Sequence, residues 1–135
     1  MNSNAHQNFT DLDVWKSARK LKIRIWKLIK TFPLEEKFRL IDQLIRSSRG
    51  IGSAIAEGHG KFYYKDQINY CVIARGSLSE TLNHLIDAMD SDHISKDELA
   101  SFKIDTDETG KLLNGYISFL RINLNKDKNI QQDQK

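Results

Sequence analysis

The stretch SSRGIGSAIAEGHGKF, Ser47 to Phe62, carries four glycines and a lysine in sixteen residues, and it reads either as a phosphate-gripping loop or as the corner between two helices. A P-loop requires G-x-x-x-x-G-K-[ST] after a strand, because backbone amides cradle the phosphates and the hydroxyl holds magnesium. Counted back from Gly60-Lys61, Ile55 stands where the first glycine belongs and Phe62 where the hydroxyl belongs. A dinucleotide-binding turn starting at Gly50-Ile51-Gly52 fails in the same way, since it needs glycine or alanine at Ile55 and a preceding strand. The stretch is therefore read as a corner. Gly58 is expected in the left-handed conformation at a helix C-terminus, and Gly60 is expected to free the chain for the next helix.

Working outward from this corner, the preceding helix is predicted over about residues 34–58, with the seam Ile41, Leu44, Ser48, Ile51 and Ile55 and with Glu35 and Glu36 placed where the helix dipole favours negative charge. The small residues of its middle, Ser47, Ser48, Gly50, Gly52, Ser53 and Ala54, suit a close helix–helix approach at a cost of about 1 kcal/mol per helical glycine.

Upstream, Val14, Ala18, Leu21, Ile25, Leu28 and Phe32 recur in steps of four and three, the seam of a helix over about 11–32. Thr10 or Asp11 is expected to cap it, and Pro33 bars the helical conformation at Phe32. Lys16, Arg19, Lys20, Arg24, Lys27 and Lys30 gather opposite the seam, as either a solvated face or a polyanion contact. Trp15, Trp26 and Ile29 form one shoulder, read as a wide core face or a subunit contact.

Downstream, a helix over about 66–90 is predicted to point Cys71, Ala74, Leu78, Leu82, Leu85 and Met89 inward. Ser95 and Glu98 form a capping box opening the last helix, over about 95–125, whose inward residues are Leu99, Phe102, Leu113, Tyr116, Ile117, Leu120 and Leu124. KIDTDETG (Lys103–Gly110) is expected to be weak or bent. Residues 1–9 and 126–135 are polar and expected to be disordered. Lys61, Phe62, Tyr63, Tyr64 and Lys65, just past the corner, either stack on bases or close the bundle end; closure is preferred. Four helices joined by short turns define an all-α, up-and-down antiparallel four-helix bundle over residues 10–125.

The totals agree. The chain has 135 residues, one proline and one cysteine, which fits a single helical domain and leaves neither a disulfide nor a cysteine zinc site. Without a spanning apolar run or a signal-like start, it is expected to be cytoplasmic, with no membrane partner. The net charge of +3 divides unevenly, +7 over residues 1–75 and −4 over residues 76–135. Such segregation fits a polyanion partner or the pairing of one subunit's basic face with another's acidic one.

Chemical motifs are sparse. Glu80 and His84 are four apart with no second copy, so the Glu-x-x-His pairs of di-iron bundles are missing, and the histidines at 6, 59, 84 and 93 make no H-E-x-x-H. Ser77, Ser79 and Cys71 lack a base at any sequence-evident position. The expectation is a non-enzymatic protein without metal, cofactor or small-molecule substrate.

Several stretches together resemble one bacterial family. DLDVWKSARKLKIRIWKLIKTFPLEEKFRLIDQLIRSS (Asp11–Ser48), IAEGHGK (Ile55–Lys61) and IARGSLSETLNHL (Ile73–Leu85) are similar to the D-L-x-V-W, F-P-x-E-E-x-x-x-L, I-A-E-G-x-G-[RK] and I-A-x-G-S-L-x-E signatures of the 23S ribosomal RNA intervening-sequence proteins, or S23-like proteins. The accessory variability determinant of diversity-generating retroelements is similar to the same family. Two departures stand out: Gly50–Ala54 replaces the family's S-I-P-x-N, and Ile45-Arg46-Ser47-Ser48 replaces an R-R-A-A run. The resemblance implies a homopentamer of four-helix bundles with a positive surface that binds RNA or other nucleic acid, and in the retroelement branch a reverse transcriptase. On this reading Lys16, Lys20, Arg24 and Lys27, then Arg39 and Arg46, and Lys61 at the corner contact phosphates, while Trp15, Trp26 and Ile29 form the oligomer interface. The competing reading is a protein-interaction scaffold whose basic face docks an acidic partner or a neighbouring subunit.

Overall fold

The computed structural model describes residues 8–133, with side-chain burial through residue 129. Four helices follow one another: α1 (Asp13–Leu28), α2 (Leu40–His59), α3 (Tyr64–Asp90) and α4 (Lys96–Asp133). Each packs against its neighbours in the chain, and α1 closes the ring against α4, so the molecule is an all-α, antiparallel four-helix bundle.

The α1 seam buries every residue that spacing assigned to it, from Val14 and Ala18 to Leu28 and Phe32, and Leu21 is wholly enclosed. The helix is shorter than expected. Asn8 caps a 3-10 turn over Phe9–Asp11 through a capping box with Asp11, and α1 then starts after Leu12, which offers no side-chain cap. At the other end the chain tightens into a 3-10 turn at Ile29–Thr31, and Phe32 is extended (φ −77°, ψ 151°) ahead of Pro33. Residues 34–36 form a third 3-10 turn rather than the start of α2, and Arg39 (φ −123°, ψ −105°) breaks the chain before Leu40.

At the decisive corner the structure corrects the reason for the glycines. No glycine has a positive φ among the described residues, and Gly60 caps α2 at φ −77°. Gly58 is required by proximity: a Cβ there would lie 2.6 Å from the Tyr70 Cβ and 3.3 Å from the Gln67 carbonyl oxygen. Of the small residues before it, Ser47 and Gly50 serve the same α2–α3 approach. Ser47 and Ser48 are buried, and the Thr81 hydroxyl lies 3.0 Å from Ser47 Oγ and 2.8 Å from the Ser77 carbonyl. On α3 the deeply buried positions include Thr81 and Ala88, while Leu82 and Met89 are half-buried.

The left-handed residue is Asp92 (φ 62°), in the turn between α3 and α4. His93 N–H bonds to Ala88 O and Asp92 N–H to Met89 O, the paired bonds of a Schellman turn. Ser95 and Glu98 then make the expected capping box, at 3.0 and 3.1 Å.

From there α4 continues unbroken to Asp133, so Lys103–Gly110 is neither bent nor weak. Its polar residues face α1 instead of water: Asp105, Thr106 and Thr109 are buried, Thr109 Oγ1 lies 2.7 Å from Ser17 Oγ, and Asp105 meets Arg24. These tertiary contacts override poor helix propensity. Residues 126–133 are helical rather than disordered, since no proline or glycine follows Gly115 to stop the helix. The disorder expected of residues 1–7 and 134–135 lies outside the described residues; Asn8 and Phe9 are ordered in the first turn. Among the described residues no helix is long and apolar enough to cross a membrane.

Candidate functional site

Burial of the α1 seam turns the rest of that helix outward beside α2, and three adjoining surface depressions run along the face they share. One is lined by Thr10, Lys16, Arg19, Lys20 and Arg24 with Trp15 and Ile23. The next lies between the helices, with Trp15, Arg19 and Lys22 on one side and Arg49, Gly52, Ser53 and Ala56 on the other. The third is walled by Ile23, Ile25, Trp26 and Ile45 and again by Lys22 and Arg49. The three share residues and form one belt. It brings together six cations, Lys16, Arg19, Lys20, Lys22 and Arg24 from α1 and Arg49 from α2; no aspartate or glutamate lines the depressions, and Asp105 reaches Arg24 and Lys20 from behind their rim. Desolvated clefts of one charge sign focus the field and attract counter-charge.

The floor of the belt depends on the glycine-rich stretch. Gly52 sits beneath Trp15, where an added Cβ would be 3.4 Å from the indole nitrogen, an ordinary contact, so the tryptophan lies close against α2. Phe9 braces the same indole edge-to-face at 5.2 Å. Trp26 is different. It is 44 % exposed, with Lys30 Nζ 5.3 Å and the Arg49 guanidinium 5.4 Å from its ring centre.

The residues expected to contact phosphate separate into distinct places. Lys16 and Lys20 are exposed in the belt, and Lys27 is exposed further along the outer face of α1. Arg24 belongs to the fold: its guanidinium is 2.5 Å from Asp105 Oδ2 and 2.9 Å from Ser101 Oγ, and it covers the Phe102 ring at 4.1 Å. Lys20 is only loosely drawn to the same carboxylate, at 3.8 Å. Arg39 and Arg46 line a separate depression shared with Glu36, Glu80 and Asp87, and Arg46 is held by Glu80 at 2.6 Å. Lys61 is at the α2–α3 corner, 5.4 Å from the Tyr70 ring centre. Of the expected interface residues, Ile29 is buried in its own bundle core and leaves that role, because the 3-10 turn carries it inward. Trp15 is half-buried within the chain and only Trp26 remains substantially exposed.

Lys22 and Arg49 were not singled out by sequence reasoning. Lys22 falls on the tryptophan shoulder of α1 rather than opposite the seam, and Arg49 gains its meaning from pairing across to α1. The basic-aromatic run after the corner also departs from expectation. Tyr64 packs on the core, but Phe62 and Tyr63 are 88 % and 66 % exposed and close nothing.

Other chemistry has little to build on. Glu80 is committed to Arg46, and among the described residues no group of three histidine, cysteine or acidic side chains is placed to hold a metal ion. Burial pushes the Cys71 thiol up to about 11. Burial, reinforced by Cys71, pushes the Tyr116 hydroxyl up to about 12, so both are protonated and inert near neutrality.

The belt is thus carried on two neighbouring helices of an antiparallel four-helix bundle. The chain belongs to the 23S rRNA-intervening sequence protein family, whose sequence profile matches residues 10–115. It is also similar to a protein of unknown function from the S23 ribosomal protein family of Bacteroides thetaiotaomicron VPI-5482, solved by crystallography, with 30 % identity and a TM-score of 0.71 over 77 % of this chain and 97 % of that one. No curated protein matches the chain.

Proposed function

We propose that this protein is a non-enzymatic, self-associating bundle that binds RNA or another nucleic acid through the α1–α2 belt. The observation that carries the proposal is the gathering of Lys16, Arg19, Lys22 and Arg49 from two helices into adjoining depressions, apart from the Asp105 carboxylate that engages Arg24 and Lys20. A merely solvated face of a chain with 18 acidic residues would intersperse both signs. Lys16, Arg19, Lys22 and Arg49 neutralise phosphates, which gives affinity and salt dependence without base readout. Family membership supports the direction of the proposal, since the family is named for an insert in ribosomal RNA.

Self-association is supported by a second surface. On α4, Ile122 is exposed one turn from Phe119, and a Cβ on Gly115, the turn before, would meet nothing within 4 Å. Phe119 beside them is 55 % exposed. Adjacent exposed apolar side chains on one helix face suit a protein contact. The alternative is the scaffold reading, in which the basic face docks an acidic partner such as a reverse transcriptase, or a neighbouring subunit; a homopentamer follows the family resemblance.

The test is an anisotropy titration of nuclease-treated protein against an RNA hairpin and a DNA duplex of equal length at several salt concentrations. Replacing Lys16, Arg19, Lys22 and Arg49 by glutamine should flatten the log–log salt slope by about 0.7–0.9 for each phosphate left unneutralised. An unchanged slope removes the belt as the binding face. Capture of a protein partner that survives nuclease and needs the belt intact would establish the scaffold reading instead.

A further inference from the structure

Resting on the belt as a nucleic-acid-binding face, we infer that it takes a single strand rather than a duplex, with one unpaired base stacked on Trp26 beneath the Arg49 guanidinium.

The depression around Trp26 is built for more than a phosphate. Two of its walls are Ile23 and Ile45, its cations are Lys22 and Arg49, and the indole is the largest exposed apolar surface it contains. A duplex presents a rail of phosphates to a flat basic face and keeps its bases stacked inside, so the isoleucines and the indole would have nothing to do. An unstacked base in a single strand has two apolar faces and attached phosphates, and matches both halves of the depression.

Trp26 is also free to serve. Trp15 is braced by Phe9 and seated over Gly52, whereas the Trp26 ring has the flexible cations Lys30 and Arg49 beside it. The α1 core seam is complete without it. The Arg49 guanidinium stands 5.4 Å from the indole centre. A base needs roughly 3.5 Å to the group on each side, about 7 Å in all. Arg49 is exposed, so its long side chain can withdraw by the small difference and close over the base. Lys22, shared by two depressions, then lies where the strand continues toward Arg19 and Trp15. A two-fold contact of this face with itself is a poorer occupant, because it would press the same cations together; a ring contact with a different face is read out by molar mass.

The experiment uses the Trp15→Phe variant, which leaves Trp26 as the sole tryptophan. It is titrated with an unstructured RNA of about twelve nucleotides and with an RNA duplex of the same length, reading both label anisotropy and indole emission. The expected result is quenching of Trp26 by the single strand and binding about tenfold or more tighter than to the duplex. Trp26→Ala should abolish that preference while leaving the salt slope unchanged, and Trp26→Tyr should restore most of it. Equal or tighter duplex binding, with Trp26→Ala without effect, would overturn the stacking inference and leave the charge-based reading standing. If neither nucleic acid binds and the Lys22→Gln and Arg49→Gln variants behave like the parent, the underlying reading falls as well. A change in molar mass on Trp26→Ala, by light scattering, would make Trp26 a subunit contact and also overturn the inference.

Discussion

Arg24 and Asp105 tie α1 to α4: the guanidinium donates to the carboxylate at 2.5 Å, and Asp105 is only 8 % exposed. Lys20 and Ser101 complete the set around them. One of the most conspicuous cations of α1 is thus spent inside the bundle, and it stands at the rim of the belt without being available to a ligand. This divides the basic stripe into a structural residue and several free ones.

Arg24→Gln should therefore destabilise the protein while leaving nucleic-acid binding nearly intact. Removing one partner strands a buried carboxylate, a loss of about 3–5 kcal/mol for a fully buried pair, but the arginine side chain is 33 % exposed and water softens the loss to about 1–3 kcal/mol. Urea unfolding would measure it, and the salt slope of RNA binding should stay within error. Lys16→Gln should do the reverse, with stability within about 0.5 kcal/mol and a shallower slope. If Arg24→Gln flattened the slope as strongly as Lys16→Gln, the division would be wrong.

Gly58→Ala should cost about 1–3 kcal/mol, because the new methyl would meet the Tyr70 Cβ at 2.6 Å and neither helix backbone can yield cheaply. Gly76→Ala, where the added Cβ meets nothing within 4 Å, should instead stabilise α3 by up to about 1 kcal/mol. Thermal unfolding of the two variants should move in opposite directions. Equal shifts would show that helix propensity alone, and not the close approach, governs position 58.

These cases mark how far the sequence could be read. The α1 seam was legible in full because its periodicity is local and an amphipathic helix has only one way to bury it. The corner at Gly58 was legible as a corner, but not its cause: a glycine beyond a helical run fits both a left-handed cap and a close contact, and only the position of Tyr70 separates them. Lys103–Gly110 misled for the same reason, since Ser17 and Arg24, which satisfy its polar groups, lie some eighty to ninety positions away. The belt was half legible. Lys16, Arg19 and Lys20 follow from the helical wheel, whereas Arg49 joins them only when α2 is laid beside α1.

Asp92→Gly should stabilise the protein by about 0.5–1 kcal/mol. Asp92 holds φ at 62°, and an L-residue pays sterically in that region while glycine does not. The backbone bonds of this turn, from His93 to Ala88 and from Asp92 to Met89, use no side-chain atom, so they survive the change. Asp92→Val, branched at Cβ, should be destabilising by a comparable or larger amount. Melting temperatures of the pair would check both signs, and a stabilising valine would refute the assignment of strain to this residue.

Cys71 gives the pH dependence. Its thiol is buried, and the folded protein holds it protonated up to about pH 11 against an ordinary value of 9.0. The folded state therefore binds the proton more tightly than the unfolded chain does. The associated stability is fully present below pH 9 and drains away as pH rises from 9 through 11. Cys71→Ser leaves no group to ionise there, so its unfolding free energy should fall less steeply over the same interval, although its stability near neutrality is lower. The same burial predicts that a thiol reagent at about pH 8 labels the native protein slowly and the urea-unfolded protein at once. Rapid labelling of the native protein would mean that Cys71 is reached by local opening, and coincident alkaline slopes of the parent and the Cys71→Ser protein would refute the raised thiol.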